Sequence, residues 1–364
     1  MASSTFNRPL FNETILKLFR VSIPRESSSG SSIVFGGRSV FNGLLTLYLG
    51  SSKDVRFSFD TTFNLLGLRP PPCQSIKSVT VLFHRSDLTG ALNENFVSEI
   101  KGIDDFVFVD VPHSGLRVPE YNTINTFIAN RTANVIKEVI TPQSFEYQGK
   151  AKIQTTTVFS DNWACPFDSN DTRFGKFFIS GGNTINLQMM TNSLCRTAVQ
   201  VNALSYGTFY RLPYVSGVSM LIFMRNQPAE YGQLYDDISW LSEVSRFEEI
   251  LSALKDVMFT SIEMPKFAYM TTIDTIKGIK GIHPFNNLNM LRVFQDKTRA
   301  PSQFKHEICS RIDNNEMGTS TKSVFETTAY DSSGGNPLRI NKPFCFFIIQ
   351  SSGHIINLGI FTGK

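Results

Sequence analysis

An α+β fold is predicted for this chain of 364 residues, a length compatible with one large domain or two, and three features predict the class. Short β-competent runs recur: Ser78–Phe83 (SVTVLF), Asp105–Val111 (DFVFVDV) and Phe344–Ile349 (FCFFII). Helical segments accompany these runs, Phe11–Phe19 before them and Phe247–Leu254 between them, with apolar residues three and four positions apart. Near the end, about thirty residues of mostly small polar side chains separate Ile312 from Phe344, too long for an ordinary connection.

In FNETILKLF, residues 11, 15, 18 and 19 form one apolar stripe, so a helix is expected there. A Ser/Gly-rich link over 26–32 leads to SIVFGGRSVFNGLLTLYLG, whose second half, Ser39–Leu49, reads as a buried helix. Ser39 is expected to cap it and Gly50 to stop it. Residues 51–76 lack a helical charge pattern and contain Pro70, Pro71 and Pro72, which suggests irregular chain. Ser78–Phe83 and Asp105–Val111 alternate as strands, and Ile124, Phe127 and Ile128 share a helical stripe. Val218–Phe223 reads as a strand and FEEILSAL, Phe247–Leu254, as an amphipathic helix. Phe304–Ile312 is a further strand, with Ile308, Ser310 and Ile312 on one face. Phe344–Ile349 is apolar at every position, as in strands buried on both faces.

Composition excludes several function classes. The net charge of +4 includes no basic run, so neither nucleic acid nor an anionic membrane is implied as partner. No apolar stretch approaches the ~20 residues that cross a bilayer. His84, His113, His283, His306 and His354 are scattered without metal-ligand spacing, and no nucleophile elbow or phosphate loop is present. No enzyme, metal site or cofactor is therefore expected. Cys73, Cys165, Cys195, Cys309 and Cys345 are odd in number and lack CxxC spacing, so they read as reduced thiols. The first residues lack the pattern of a signal peptide, which favours a cytoplasmic site over secretion. Asn12, Asn130 and Asn170 lie in N-x-S/T sequons that matter only if the chain is secreted.

The polar stretch has a second character. Thr319, Ser320, Thr321, Lys322, Ser323 and Val324 are small or β-branched apart from Lys322, without proline, and could enter a sheet as a strand. By parity Thr319, Thr321 and Ser323 face one way, and Ser320, Lys322 and Val324 the other. A segment exposed in one state and strand-competent in another is a candidate conformational switch.

Glu316-Met317-Gly318-Thr319, followed by Lys342-Pro343-Phe344-Cys345-Phe346-Phe347-Ile348, resembles the hinge and C-terminal strand that bracket the reactive loop of the serpin family. Other blocks match in order. Phe35 and Ser39 fit the segment leading into the family's central helix, although Gly36-Gly37 replaces its Ser-Pro. Phe159, Trp163, Phe167, Thr172 and Phe178 match a strand of the family and the residues after it, with Ser160-Asp161 in place of Lys-Gly. Met189-Met190, Arg211–Tyr214, Ser261–Phe267, Gly281–Phe285 and Ile355–Phe361 continue the match. Residues 51–76 look shortened, as if one or two surface helices were trimmed, which is similar to some poxvirus serpins.

The resemblance implies a single domain over 1–364, with a large central mixed β-sheet, smaller sheets, surrounding helices and an exposed reactive loop at about 316–339. It implies a monomer that inhibits a serine or cysteine protease, a host protease if the protein is viral. The protease cleaves the loop and forms an acyl-enzyme, and the loop then inserts as a new strand. The implied hinge is Glu316, Gly318, Thr319, Thr321 and Ser323; the implied sheet-opening region is Ser39, Trp163 and His306, the first and last as a latch pair. Counting places the scissile bond at Ser332-Ser333, suiting elastase-like proteases, or at Tyr330-Asp331, suiting chymotrypsin-like ones. Cleavage after Asp331 would suit caspases or granzyme B. The alternative is a serpin-fold binding protein with a degenerate hinge, because Phe325 points inward where the family carries threonine and two extra residues precede Gly318.

Overall fold

The computed structural model describes residues 7–26, 30–101, 103, 105–132, 134, 136–137, 140, 151–192, 198–243, 245–274, 285, 288–300, 307–315, 318–319 and 337–364. The elements begin with α1 (Arg8–Ser22), β1 (Ile33–Phe35), α2 (Gly37–Gly50), α3 (Lys53–Phe63), β2 (Ile76–His84), α4 (Ser86–Thr89), α5 (Glu94–Ile100), β3 (Asp105–Asp110) and α6 (Val118–Arg131). Next come β4 (Ala151–Phe159), β5 (Asp161–Asn162), β6 (Asp168–Phe178), β7 (Thr184–Asn192), β8 (Ala198–Ala203), β9 (Gly207–Pro213) and β10 (Ser219–Arg225). The remainder is α7 (Tyr231–Leu241), α8 (Arg246–Ser252), β11 (Lys255–Met258), β12 (Ile262–Pro265), β13 (Phe267–Asp274), β14 (Glu307–Asn315), β15 (Gly318–Thr319), β16 (Leu338–Arg339), β17 (Phe344–Ile349) and β18 (Ile355–Phe361). Helices and sheets together make the α+β class expected from the sequence. None of the described helices is long and apolar enough to cross a membrane.

The chain forms two compact units, each assembled from separated segments. The first comprises Met1–Asn7, Arg38–Val158 and Thr275–Glu307. Its sheet has the order β3-β2-β4, and β2 and β3 are parallel, joined by a crossover through α4 and α5. Every residue of β2 except Lys77 is buried. Helix α6 covers this sheet: Tyr121 and Ile128 pack with Val79, Val81, Phe83 and Val111, and Ile124 and Phe127 lie against the same cluster. Asn125 holds Ile140 with two bonds, donating to its carbonyl (2.7 Å) and accepting from its N–H (3.1 Å). Helix α3 fills part of the stretch expected to be irregular. Val55, Phe59 and Phe63 recur every four residues and are buried, a helical face that the charge pattern concealed.

The second unit comprises Arg8–Gly37, Phe159–Asp274 and Ile308–Lys364. Its largest sheet, β1-β18-β17-β10-β9-β8-β11, is antiparallel throughout. All six residues of β17 are buried. Phe347 meets Phe247 of α8 (ring centroids 5.3 Å), and Phe267 stacks on Phe361 of β18 (4.6 Å). A methyl at Gly359 would collide with the Ile33 carbonyl and the Phe346 ring, so the close approach of β1 to β18 requires glycine. Two further sheets have the orders β16-β12-β7-β6 and β13-β14-β15-β5.

Helix α2 begins at Gly37, two residues before the expected cap. Ser39 is not that cap; its hydroxyl donates to the Thr155 carbonyl on β4 (3.0 Å). Gly37 is needed for contact, since a Cβ there would lie 2.8 Å from Ile15 Cγ2. The expectation of reduced thiols also needs correction. Cys73 and Cys345 are not in disulfides, but Cys165 is disulfide-bonded, its partner sulfur lying outside the described side chains.

Candidate functional site

The site is built where the polar stretch leaves the sheet. Strand β14 ends at Asn315, and after two residues outside the described set the chain returns as β15. The return strand is antiparallel to β14, with Asn314 opposite Thr319 and Asn315 opposite Gly318. Its other edge is antiparallel to β5, with Gly318 opposite Asn162 and Thr319 opposite Asp161. Two residues of the loop expected to be exposed over about 316–339 thus lie inside a sheet, with neighbours on both sides. The expectation of an exposed loop is corrected for this pair.

Strand β5 is held firmly on the side away from β15. The Asn162 carbonyl accepts from the Val215 N–H (2.9 Å), and the Pro213 carbonyl from the Ala164 N–H (3.0 Å). The Asp161 carboxylate accepts from the Ser216 hydroxyl. Trp163 is 2% exposed and stacks on Tyr214 (4.4 Å between centroids, 16° between planes), with Phe167 edge-on at 5.9 Å. Trp163 therefore adjoins the strand that receives the hinge. Buried aromatics of this size fix backbone position, which keeps the edge of β5 in register for a new strand.

On the other flank, Asn314 is fully buried, and its side-chain amide donates to the Pro265 carbonyl (3.3 Å). Ile312 is buried, and the Ser310 hydroxyl accepts from the Gly36 N–H (2.9 Å). Residues 310, 312 and 314 thus share the inward face, as the alternation over 308–312 required. Where the family pattern has a hydroxyl next to the helix start, this chain has Gly36 and takes the hydroxyl from Ser310.

The far end of the polar stretch is anchored separately. Leu338 and Arg339 form β16, parallel to β12, with Ile262 opposite Leu338 and Glu263 opposite Arg339. Leu338 and Ile340 are buried, and Arg339 pairs with Glu263 at 3.3 Å. Lys342 donates to the Asn226 carbonyl (2.8 Å), and burial lowers its pKa. Cys345 is fully buried, which pushes its thiol well above the ordinary value and leaves it unreactive.

Of the residues singled out from sequence, Gly318, Thr319, Ser39 and Trp163 are described. Glu316, Thr321, Ser323, His306, Tyr330, Asp331, Ser332 and Ser333 lie outside the described residues, as does any bond between His306 and Ser39. Asp161, Asn162 and Asn314, which flank the hinge strand, are partners that the sequence alone does not reveal. The one signal for Asp161 is its departure from the family's Lys-Gly. Among the described residues, no three His, Cys, Asp or Glu side chains converge as a metal site.

The family model described as Serpin (serine protease inhibitor) matches residues 16–363. Antichymotrypsin-2 of Bombyx mori is 23% identical, with 92% of this chain and 93% of the relative aligned. Antitrypsin of the same insect is also 23% identical, covering 92% and 89%. The crystal structure of Serpin48 from the insect Tenebrio molitor superposes with a TM-score of 0.76 at 15% identity, covering 99% and 98%. A poxvirus-type origin finds no support in these insect relatives. With residues 16–363 matched by the family model and the fold shared, this chain belongs to the serpin family.

Proposed function

We propose that this serpin is a suicide-substrate inhibitor of a serine or cysteine protease, acting as a monomeric single domain. The observation that carries the reading is the pairing of Gly318 and Thr319 on both edges, against β14 and β5. A sheet that accepts two residues of the loop has the register to accept more. If insertion continued in the same antiparallel register, Thr321 would come opposite Ile312 and Ser323 opposite Ser310, both on the inward face. The count reaches Glu326 at the first residue of β14, Glu307. The candidate cleavage positions Tyr330, Asp331, Ser332 and Ser333 fall beyond it, so a cut there frees the whole pairing segment. The C-terminal remainder would stay attached through β16. Attack by the protease nucleophile on the scissile carbonyl releases the new amine on that remainder and leaves the acyl-enzyme on the inserting half.

A second reading, a serpin-fold binding protein that does not inhibit, is favoured by one residue. On insertion in the same register Phe325 would come opposite Ile308, on the face shared with Ser310, where a large ring would overpack a strand that otherwise brings small side chains. A panel of elastase-like, chymotrypsin-like and caspase-type proteases, scored for complexes that survive SDS, separates the two. A covalent complex with any of them supports inhibition, and clean turnover of the loop by all of them supports the binding protein.

A further inference from the structure

The three sequons fare very differently in the fold. Asn12 is 1% exposed; its amide donates to Glu248 (3.0 Å) and to the Gly353 carbonyl (3.0 Å), and its oxygen accepts from the Ile355 N–H (2.8 Å). No glycan can be carried on that nitrogen without unmaking the packing around it. Asn130 is exposed on the last turn of α6, but the hydroxyl of its sequon is sealed. Thr132 is fully buried and donates to the Ile128 carbonyl at 2.7 Å.

Asn170 differs in its own exposure and in its sequon hydroxyl, since Thr172 is half-buried rather than sealed and reaches the Asp168 carbonyl only at 3.5 Å. It is exposed on β6, an edge strand of its sheet, where the ladder to β7 breaks. Asp168 pairs with Thr191 and Arg173 with Met189, so the residues from Ser169 to Thr172 bulge out opposite Met190 alone. The Asn170 N–H is turned back onto the Asp168 carboxylate (2.8 Å), and the residue itself is exposed. Asn-Asp-Thr at 170–172 is thus a sequon on non-helical, accessible backbone outside the ladder to β7. A second observation concerns the compartment. Cys165 is disulfide-bonded, and such bonds persist in oxidising compartments and are rare in the cytosol.

We infer that Asn170 is an N-glycosylation site on a chain that matures in an oxidising secretory compartment. The donor is an oligosaccharide on a polyprenyl diphosphate. The Asn170 Nδ2 loses a proton and bonds to the anomeric carbon, the bond from that carbon to the diphosphate oxygen breaks, and the lipid diphosphate leaves. A glycan there also shields the outer edge of β6 from pairing with another chain.

The test is peptide mapping of the protein purified from its native source, before and after enzymatic release of N-glycans. The expected result is a glycan-sized mass on the peptide containing Asn170, release leaving an aspartate at position 170, and an unmodified Asn12. Expressed in cells of the same kind, Asn170→Gln and Thr172→Ala should each lose the same mass. An unmodified Asn170 in the native protein overturns the inference, as does a mass that survives both substitutions.

Discussion

Replacing Thr319 with proline tests whether the hinge strand is poised between two states. A two-residue strand with neighbours on both edges has two N–H and two C=O groups, hence about four ladder bonds at roughly 0.5–1.5 kcal/mol each. Ordering two residues costs about 1–2 kcal/mol apiece, so the pairing is balanced to within a few kcal/mol. Thr319→Pro removes one donor and sets a ring in the ladder, tilting the balance outward by about 1–2 kcal/mol. Hydrogen exchange reads this directly. In the parent protein, amides of Asp161, Asn162, Gly318 and Thr319 should be protected only about ten- to a hundredfold, far less than those of β17. Thr319→Pro should erase that protection while moving the thermal midpoint of the uncleaved protein by about 2–3 °C at most for a chain of this size. Protection at 318–319 equal to that of β17, or a large loss of global stability, would refute the idea of a poised hinge.

Three further residues allow checks. Phe325→Thr should relieve overpacking of typically 1–3 kcal/mol, raising the fraction of encounters that end in a covalent complex by roughly fivefold or more; unchanged stoichiometry on SDS gels removes the argument. Trp163→Ala should cost about 3–5 kcal/mol by denaturant unfolding, because it empties the stack on Tyr214, whereas Trp163→Phe should cost clearly less. Burial of His84 lowers its pKa below 6.5, with Asp110 opposing. The folded state therefore resists the proton, so stability is full above about pH 6.5 and declines as pH falls below it. His84→Gln should flatten that decline in midpoints measured from about pH 7.5 downward to about 5.

Much of the framework is legible in the sequence because burial writes a simple pattern. Phe344–Ile349 is apolar throughout and buried throughout, and Ile124 and Ile128 fall on the face that α6 turns to β2. Helix α3 is hidden because its face is carried by Val55, Phe59 and Phe63 among residues that offer no charge pairs. Ser39 resembles a cap, but the helix starts two residues earlier at Gly37, where close packing on Ile15 leaves no room for a Cβ, a tertiary constraint that no local pattern encodes. The hinge region is recognisable from Gly318-Thr319, yet its sheet partners are not. Asp161 and Asn162 lie more than 150 residues away in sequence, and the stack of Trp163 on Tyr214 is what places them. Cys165 shows the same limit, since its bonded state depends on which sulfur the fold brings near.

The most direct measurement is the thermal midpoint before and after a single cut between residues 330 and 333. Seven further residues could pair along β14 back to Glu307, and with side-chain burial this outweighs their ordering by several kcal/mol. For a chain of this length that means a rise on the order of 10 °C. A cleaved protein that melts at the same temperature as the intact one, or lower, would contradict insertion and with it the inhibitory mechanism.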